Sequence, residues 1–271
     1  MLKLFIVFSV VCVSLIGCNS ADQPSDSGSR ANATPVINYA VTKFYPHDTG
    51  LYTEGLIIHN GQLMESTGSP DDAPQTRSLI GIIDLATGKM DQKIEIDRSK
   101  YFGEGIVVLN NKLYQLTYTT QTGFIYDAKT FKKIGEFNYT NKEGWSLTTS
   151  GRELIMSDGT SQLTFLDSVS LKPIKTLSVT ENGSPVKNLN ELEYINGFIY
   201  ANIWLTNFIV KIDPSNGKVV GRLDFTSIAF EAKNKNPTAD VLNGIAYDST
   251  AGKIYITGKL WPNIYEVSFP H

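Results

Sequence analysis

An all-β fold, a five-bladed β-propeller, is what this 271-residue sequence predicts, on three observations. First, a short polar-plus-apolar phrase returns five times: Glu54-Gly55-Leu56, Glu104-Gly105-Ile106, Glu143-Gly144-Trp145, Asn190-Glu191-Leu192 and Asn243-Gly244-Ile245. These phrases begin 50, 39, 47 and 53 residues apart, and self-similarity at roughly 40–50 residues marks a repeat architecture. Second, each phrase opens a run of short strands rich in Ile, Val, Leu, Phe and Tyr, parted by Asn, Gly and Asp turns. Third, the fifth unit ends after its third strand, at 263–269, while an unmatched strand near 36–44 precedes the first unit. If that strand pairs as the outer strand of the fifth blade, the ring closes and no long edge is left exposed.

Along the chain, residues 1–18 stand apart from the fold. Lys3 precedes an apolar run from Leu4 to Leu15, which leads into Leu15-Ile16-Gly17-Cys18. The run is too short to span a bilayer and reads as a secretory signal. Its Leu-x-Gly-Cys ending resembles the bacterial lipobox, so Cys18 is the expected lipidation site; an ordinary signal peptide with an incidental Cys is the alternative. Cys12 falls in the cleaved segment, which leaves the mature chain no free thiol and excludes disulfides. Residues 19–35, rich in Ser, Asp, Ala, Asn and Gly, bury too little to order themselves and read as a flexible tether. Residues 36–271 are the expected propeller domain. The predicted location is the cell envelope, on the periplasmic side of a membrane, with Asn19 pointing to outer-membrane sorting in a Gram-negative source.

Each unit then reads as four strands: 104–109, 112–117, 123–127 and 133–139 in the second, and 190–195, 198–204, 208–213 and 218–225 in the fourth. Third strands end in Ile83-Asp84, Tyr126-Asp127, Leu166-Asp167 and Ile212-Asp213, whose acids are expected to brace the following turn. No helix-period segment of useful length is visible. Net charge is −3, from 24 basic and 27 acidic residues. Lys129, Lys132 and Lys133 read as a solvated hairpin edge, so no nucleic-acid partner is expected.

In a propeller the first strand of each blade lines the central channel, so Glu54, Glu104, Glu143, Asn190 and Asn243 should converge. Three carboxylates brought together repel, and one should hold its proton to higher pH unless a cation sits among them. Glu and Asn oxygens suit calcium, as in lactonase-type propeller hydrolases. Zinc is excluded by the scattered His47, His59 and His271, and a Ser-His-Asp triad by the missing Gly-x-Ser-x-Gly phrase. The other use is metal-free proton transfer by one carboxyl. Tyr52, Phe102, Tyr118, Trp145 and Trp204 surround the ring, and Trp261 falls near the channel-side strands. Such rings fill blade interfaces or wall a small pocket.

Further phrases carry a resemblance. Tyr52-Thr53-Glu54-Gly55-Leu56, Tyr101-Phe102-Gly103-Glu104-Gly105-Ile106, Glu143-Gly144-Trp145, 188–194, 242–248 and Thr257-Gly258-Lys259-Leu260-Trp261-Pro262 resemble the plant and bacterial glutaminyl-peptide cyclotransferases. The likeness runs from about Tyr39 to Val267. It implies a five-bladed propeller, cyclisation of an N-terminal glutamine to pyroglutamate with release of ammonia, and no metal or other cofactor. Carried over position by position, it implies Glu104 as the proton-transferring residue. Phe102, Trp145 and Trp204 become pocket walls, with Tyr52 and Tyr118 beside them. Asn190 becomes a ligand of the substrate amide or backbone, and Lys259 a donor to a carbonyl oxygen or a counter-charge to the Glu ring. Two departures stand out, since the family often has Gln where this chain has Glu54 and Trp where it has Tyr118. Expected partners are peptides with N-terminal Gln and, through the lipid anchor, a membrane; a monomer is expected. The competing readings are a non-enzymatic peptide-binding propeller and a calcium-dependent lactonase-like hydrolase.

Overall fold

Apolar runs broken by left-handed turns become antiparallel hairpins. At Asn60-Gly61, Asn110-Asn111 and Asn196-Gly197 both turn residues have positive φ, the backbone a two-residue hairpin requires to match the twist of its strands. The computed structural model describes residues 33–271; the expected signal peptide, Cys18 and most of the tether lie outside the described residues. Five four-stranded sheets form, each in the order inner to outer. Blade I comprises Thr53–His59, Gln62–Thr67, Leu79–Ile83 and Met90–Glu95. Blade II comprises Gly103–Leu109, Lys112–Thr117, Thr122–Asp127 and Lys133–Asn138, and blade III Ser146–Thr149, Glu153–Ser157, Gln162–Asp167 and Pro173–Ser178. Blade IV comprises Leu189–Ile195, Phe198–Ile203, Phe208–Ile212 and Val219–Asp224. Blade V comprises Leu242–Asp248, Lys253–Gly258, Asn263–Ser268 and, from the other end of the chain, Ala40–Pro46.

The ring is closed as the sequence predicts. Ala40 pairs with Ser268 and Pro46 with Asn263. The closing strand starts later than expected, because Val36 instead bridges Arg222 on the outer strand of blade IV. Five apolar clusters fill the five blade-to-blade interfaces. One, for example, joins Leu51, Leu56, Leu63 and Ile83 of the first blade region to Ala246, Tyr255 and Ile264 of blade V. Each fully buried aliphatic side chain contributes about 1.5–3 kcal/mol, so the first and last blades are held by packing as well as by the strand ladder. Asp84, Asp127, Asp167 and Asp213 accept N–H bonds within the turns that follow them, as expected.

Three expectations change. A helix, Thr226–Lys235, links blades IV and V. Only Ile228 and Ala232 on it are fully buried, while Phe230 is exposed, so two anchors one turn apart leave no apolar stripe for the sequence to reveal. Trp261 is buried in the interface of blades IV and V, with its Nε1 donating to the Asp240 carbonyl at 2.8 Å; it does not face the channel. The third phrase is also out of phase. Ser66 Oγ donates to the Glu104 carbonyl and Ser157 Oγ to that of Asn190, which makes those two residues equivalent. In blade III the Trp145 carbonyl accepts from Gly105 N, and Ser146 packs against Gly105. The ring position of blade III is therefore occupied by Trp145, and Glu143 lies two residues before it. The glycine after Glu104 reflects the narrowness of the axis: a Cβ on Gly105 would come within 2.5 Å of Ser146 Cα.

Candidate active site

The inner strands begin with an irregular register at Thr53/Gly55, Gly103/Ile106, Leu189/Leu192 and Leu242/Ile245. Each such bulge carries Glu54, Glu104, Asn190 or Asn243 and turns a polar side chain toward the channel end. A cavity of about 590 Å3 opens there, within the ~300–1,000 Å3 usual for small-ligand clefts. All nine residues singled out in the sequence line it: Tyr52, Glu54, Phe102, Glu104, Tyr118, Trp145, Asn190, Trp204 and Lys259.

Its polar floor is almost dry. Glu54, Glu104, Asn190 and Lys259 are each no more than 5% exposed. Lys259 Nζ donates to Glu54 Oε1 at 2.7 Å and lies 4.5 Å from the centre of the Tyr52 ring. Asn243 Nδ2 donates to the Thr53 carbonyl at 2.9 Å and reaches Glu54 Oε2 at 3.4 Å. Burial pushes the Glu54 carboxyl up, against the opposing pull of Lys259. Glu104 is held further above the carboxylate range, by burial first and by the charge of Glu54 second. The charge of one carboxyl disfavours ionisation of the other. With Glu54 paired to the ammonium, Glu104 is the carboxyl whose proton affinity is raised further. The single carboxyl expected from the sequence thus has a second buried carboxyl, Glu54, as its electrostatic neighbour.

The walls are aromatic. Trp145 and Trp204 meet edge to face with centroids 5.4 Å apart, Phe102 and Tyr118 lie 5.9 Å apart, and Tyr52 and Phe102 6.5 Å apart at 89°. Gly68 lets Phe102 lie this deep, since a Cβ there would meet the ring at 2.3 Å. The Oδ1 atom of Asn190 is buried without a partner, an acceptor awaiting a donor from outside the protein. Glu143, although off the ring, accepts from Trp145 Nε1 at 2.8 Å and so fixes that wall.

Sequence reasoning missed three supports of this floor. Asp240 Oδ2 accepts the Tyr52 hydroxyl at 3.1 Å. His47 donates from Nδ1 to the Trp261 carbonyl at 2.8 Å and from Nε2 to Glu65 at 2.9 Å. The carbonyl can only accept, so Nδ1 carries a proton; burial lowers the imidazole pKa but Glu65 outweighs it for a net rise, and Glu65 also takes the Thr53 hydroxyl at 2.7 Å. The pair joins the strand of Glu54 to the loop after Lys259. Glu191 lies at the axis, fully buried, accepting from Leu56 N at 3.2 Å and Ile245 N at 2.8 Å. A lone histidine and a glutamate inside a known phrase carry no signal of such long-range contacts. Among the described residues no group of three or more His, Cys, Asp or Glu side chains is placed to hold a metal ion.

Known proteins resemble this chain in sequence and in fold. The chain is 37% identical over 270 residues to the glutaminyl-peptide cyclotransferase of Arabidopsis thaliana, covering 98% of this chain and 82% of that one. Its fold matches the crystal structure of Myxococcus xanthus glutaminyl cyclase with a TM-score of 0.76 and 34% identity, over 87% of this chain and 98% of the other. The model of the glutamine cyclotransferase family matches residues 9–269. With the five blades and the carboxyl-floored aromatic pocket in place, these matches establish that the chain belongs to the glutamine cyclotransferase family.

Proposed function

We propose that this protein cyclises the N-terminal glutamine of peptides and proteins to pyroglutamate, with release of ammonia and with Glu104 as the proton-transferring group. The observation that carries the reading is the buried Glu104 carboxyl, set beside Glu54 in a cavity walled by Phe102, Trp145 and Trp204. In the reaction the substrate's α-nitrogen bonds to Cδ of its own side chain and the Cδ–NH2 bond breaks. The amine loses one proton and the departing nitrogen gains one, so a single carboxyl that supplies the one and receives the other balances the step. No protein nucleophile is needed. Curling the chain end so that the amine faces the carboxamide accounts for several kcal/mol of the barrier. The aromatic walls hold the apolar part of the side chain, and Asn190 Oδ1 accepts from the substrate's N–H groups. Lys259 keeps two protons beyond its bond to Glu54, available to the carbonyl oxygen where negative charge develops.

Purified mature protein should release ammonia from a Gln-initiated peptide at an unchanged rate in EDTA. Absence of turnover between about pH 6 and 9 would sink the reading, binding without turnover would support a peptide-binding propeller, and loss of activity in chelator a calcium-dependent hydrolase.

Glu54 sets the proton affinity of Glu104. In Glu54→Gln the like charge is gone and Lys259 is left facing Glu104, and both changes lower the Glu104 pKa. The pH profile of kcat/KM is expected to move toward acid by about one unit; an unmoved profile would remove Glu54 from this role. The Leu-Ile-Gly-Cys sequence supports lipid anchoring in the cell envelope through Cys18. Cys18→Ser should shift the protein from the membrane pellet to the soluble fraction, and retention in the pellet would overturn the anchor.

A further inference from the structure

The cavity extends well beyond the seat of a glutaminyl residue. Its inner half holds the carboxyl pair, Asn190, Lys259 and the aromatic walls, while its outer half is built from the loops bearing Ser69–Asp71, Arg98–Tyr101 and Thr119–Thr120. Under the cyclisation reading, on which this inference rests, the α-amine and the side-chain carboxamide must both reach Glu104. The substrate's first residue therefore occupies the inner half, and its second residue leaves through the outer one.

Arg98 and Lys100 give that outer half its cationic groups. Arg98 Nη1 donates to the carbonyls of Pro74 at 2.8 Å and Thr76 at 3.1 Å, which uses both of its protons and fixes the guanidinium against the neighbouring loop. Nε and Nη2 remain, the edge that matches the two oxygens of a carboxylate. Among the described residues Arg98 has no carboxylate partner. Its own loop is held by Asp97, whose carboxylate accepts from Ser99 N at 3.0 Å and Ser99 Oγ at 2.7 Å, and whose carbonyl accepts from Lys100 N and Tyr101 N. Lys100 Nζ lies 3.9 Å from Asp97, too far for a hydrogen bond. Both side chains are exposed at the cavity mouth, and the Arg98 guanidinium is held in place before any ligand arrives. Asp71 is the carboxylate lining the same outer half, and it works against an acidic ligand.

We propose that Arg98 and Lys100 form a carboxylate subsite for the residue after the N-terminal glutamine. The enzyme then favours peptides with an acidic second residue or, in a dipeptide, a free C-terminal carboxylate. The test compares kcat/KM for Gln-Glu-Ala, Gln-Ala-Ala and Gln-Lys-Ala, all C-terminally amidated, and for Gln-Ala with a free or an amidated end. Gln-Glu-Ala is expected to exceed Gln-Lys-Ala by about three- to tenfold at low salt, with the ratio shrinking at about 0.5 M salt. In the double variant Arg98→Gln/Lys100→Gln the ratio should fall to unity, and in Asp71→Asn it should widen. Each ratio is internal to one variant, so partial unfolding does not distort it. A preference confined to the side chain or to the terminus supports the subsite and identifies its source. Equal kcat/KM for all peptides, or a preference that survives the double variant, would overturn it. Absence of turnover with every peptide would instead count against the cyclisation reading.

Discussion

Glu104→Gln is expected to lower kcat on a Gln-initiated peptide by about 10²–10⁴-fold, the range usual for loss of a positioned acid–base group. The substitution keeps the volume and one acceptor oxygen but can neither take nor give a proton. KM should change little, because the aromatic walls and Asn190 are untouched. The fold should also hold, because an amide of nearly the same shape fills the same buried position. Glu104 is 5% exposed and its main-chain carbonyl, not its carboxyl, accepts from Ser66. Steady-state ammonia release, with circular dichroism to verify folding, decides the matter. Activity within about tenfold of wild type would remove Glu104 from the chemistry.

Glu191→Leu is expected to destabilise the protein by about 2–6 kcal/mol, since two buried N–H groups lose their acceptor at about 1–3 kcal/mol each. Those groups belong to Leu56 in blade I and Ile245 in blade V, while Glu191 belongs to blade IV. One side chain therefore fastens three blades at the axis. Its effect should depend on pH in a fixed direction. Burial first, and the Glu193 charge second, raise the Glu191 pKa well above the usual carboxylate range. Over the interval above about pH 4.3, where unfolded glutamates ionise, the folded chain thus binds more protons than the unfolded one. The contribution is complete below that pH and is lost as pH rises through the folded value, at about 1.4 kcal/mol per pH unit for each such proton. Glu193, pushed up to about 8 by burial, and Glu104 act in the same sense. Denaturant midpoints should therefore fall between pH 5 and 8 in the wild type, and less steeply in Glu191→Leu. A midpoint that rises with pH would contradict the assignment.

The legibility of this protein differs from element to element. The inner blade strands could be read because each buries one or both faces, so apolar runs and turn residues recur in the sequence itself. The closing strand could be read because a four-strand blade with three strands must find a fourth. The phase of blade III could not. A shift of two residues leaves the in-and-out alternation unchanged, so Glu143-Gly144 matches the other phrases although Trp145 holds the ring position. The helix Thr226–Lys235 stayed hidden because its burial rests on two small anchors.

The candidate site divides in the same way. Its nine residues were named from local phrases and resemblance, and they line one cavity. The bonds that set their chemistry connect residues far apart in the chain: Lys259 with Glu54, Asn243 with Glu54, and His47 with Trp261. By itself the sequence determined the repeat, the closed ring and the identity of the polar residues at the head of most inner strands. These follow from short-range patterning. Only the tertiary structure decided which carboxyl has its proton affinity raised further, what neutralises its neighbour and which charges wait at the cavity mouth. Proton affinity depends on burial and on charges within a few ångströms, and those distances exist only once the five blades have closed.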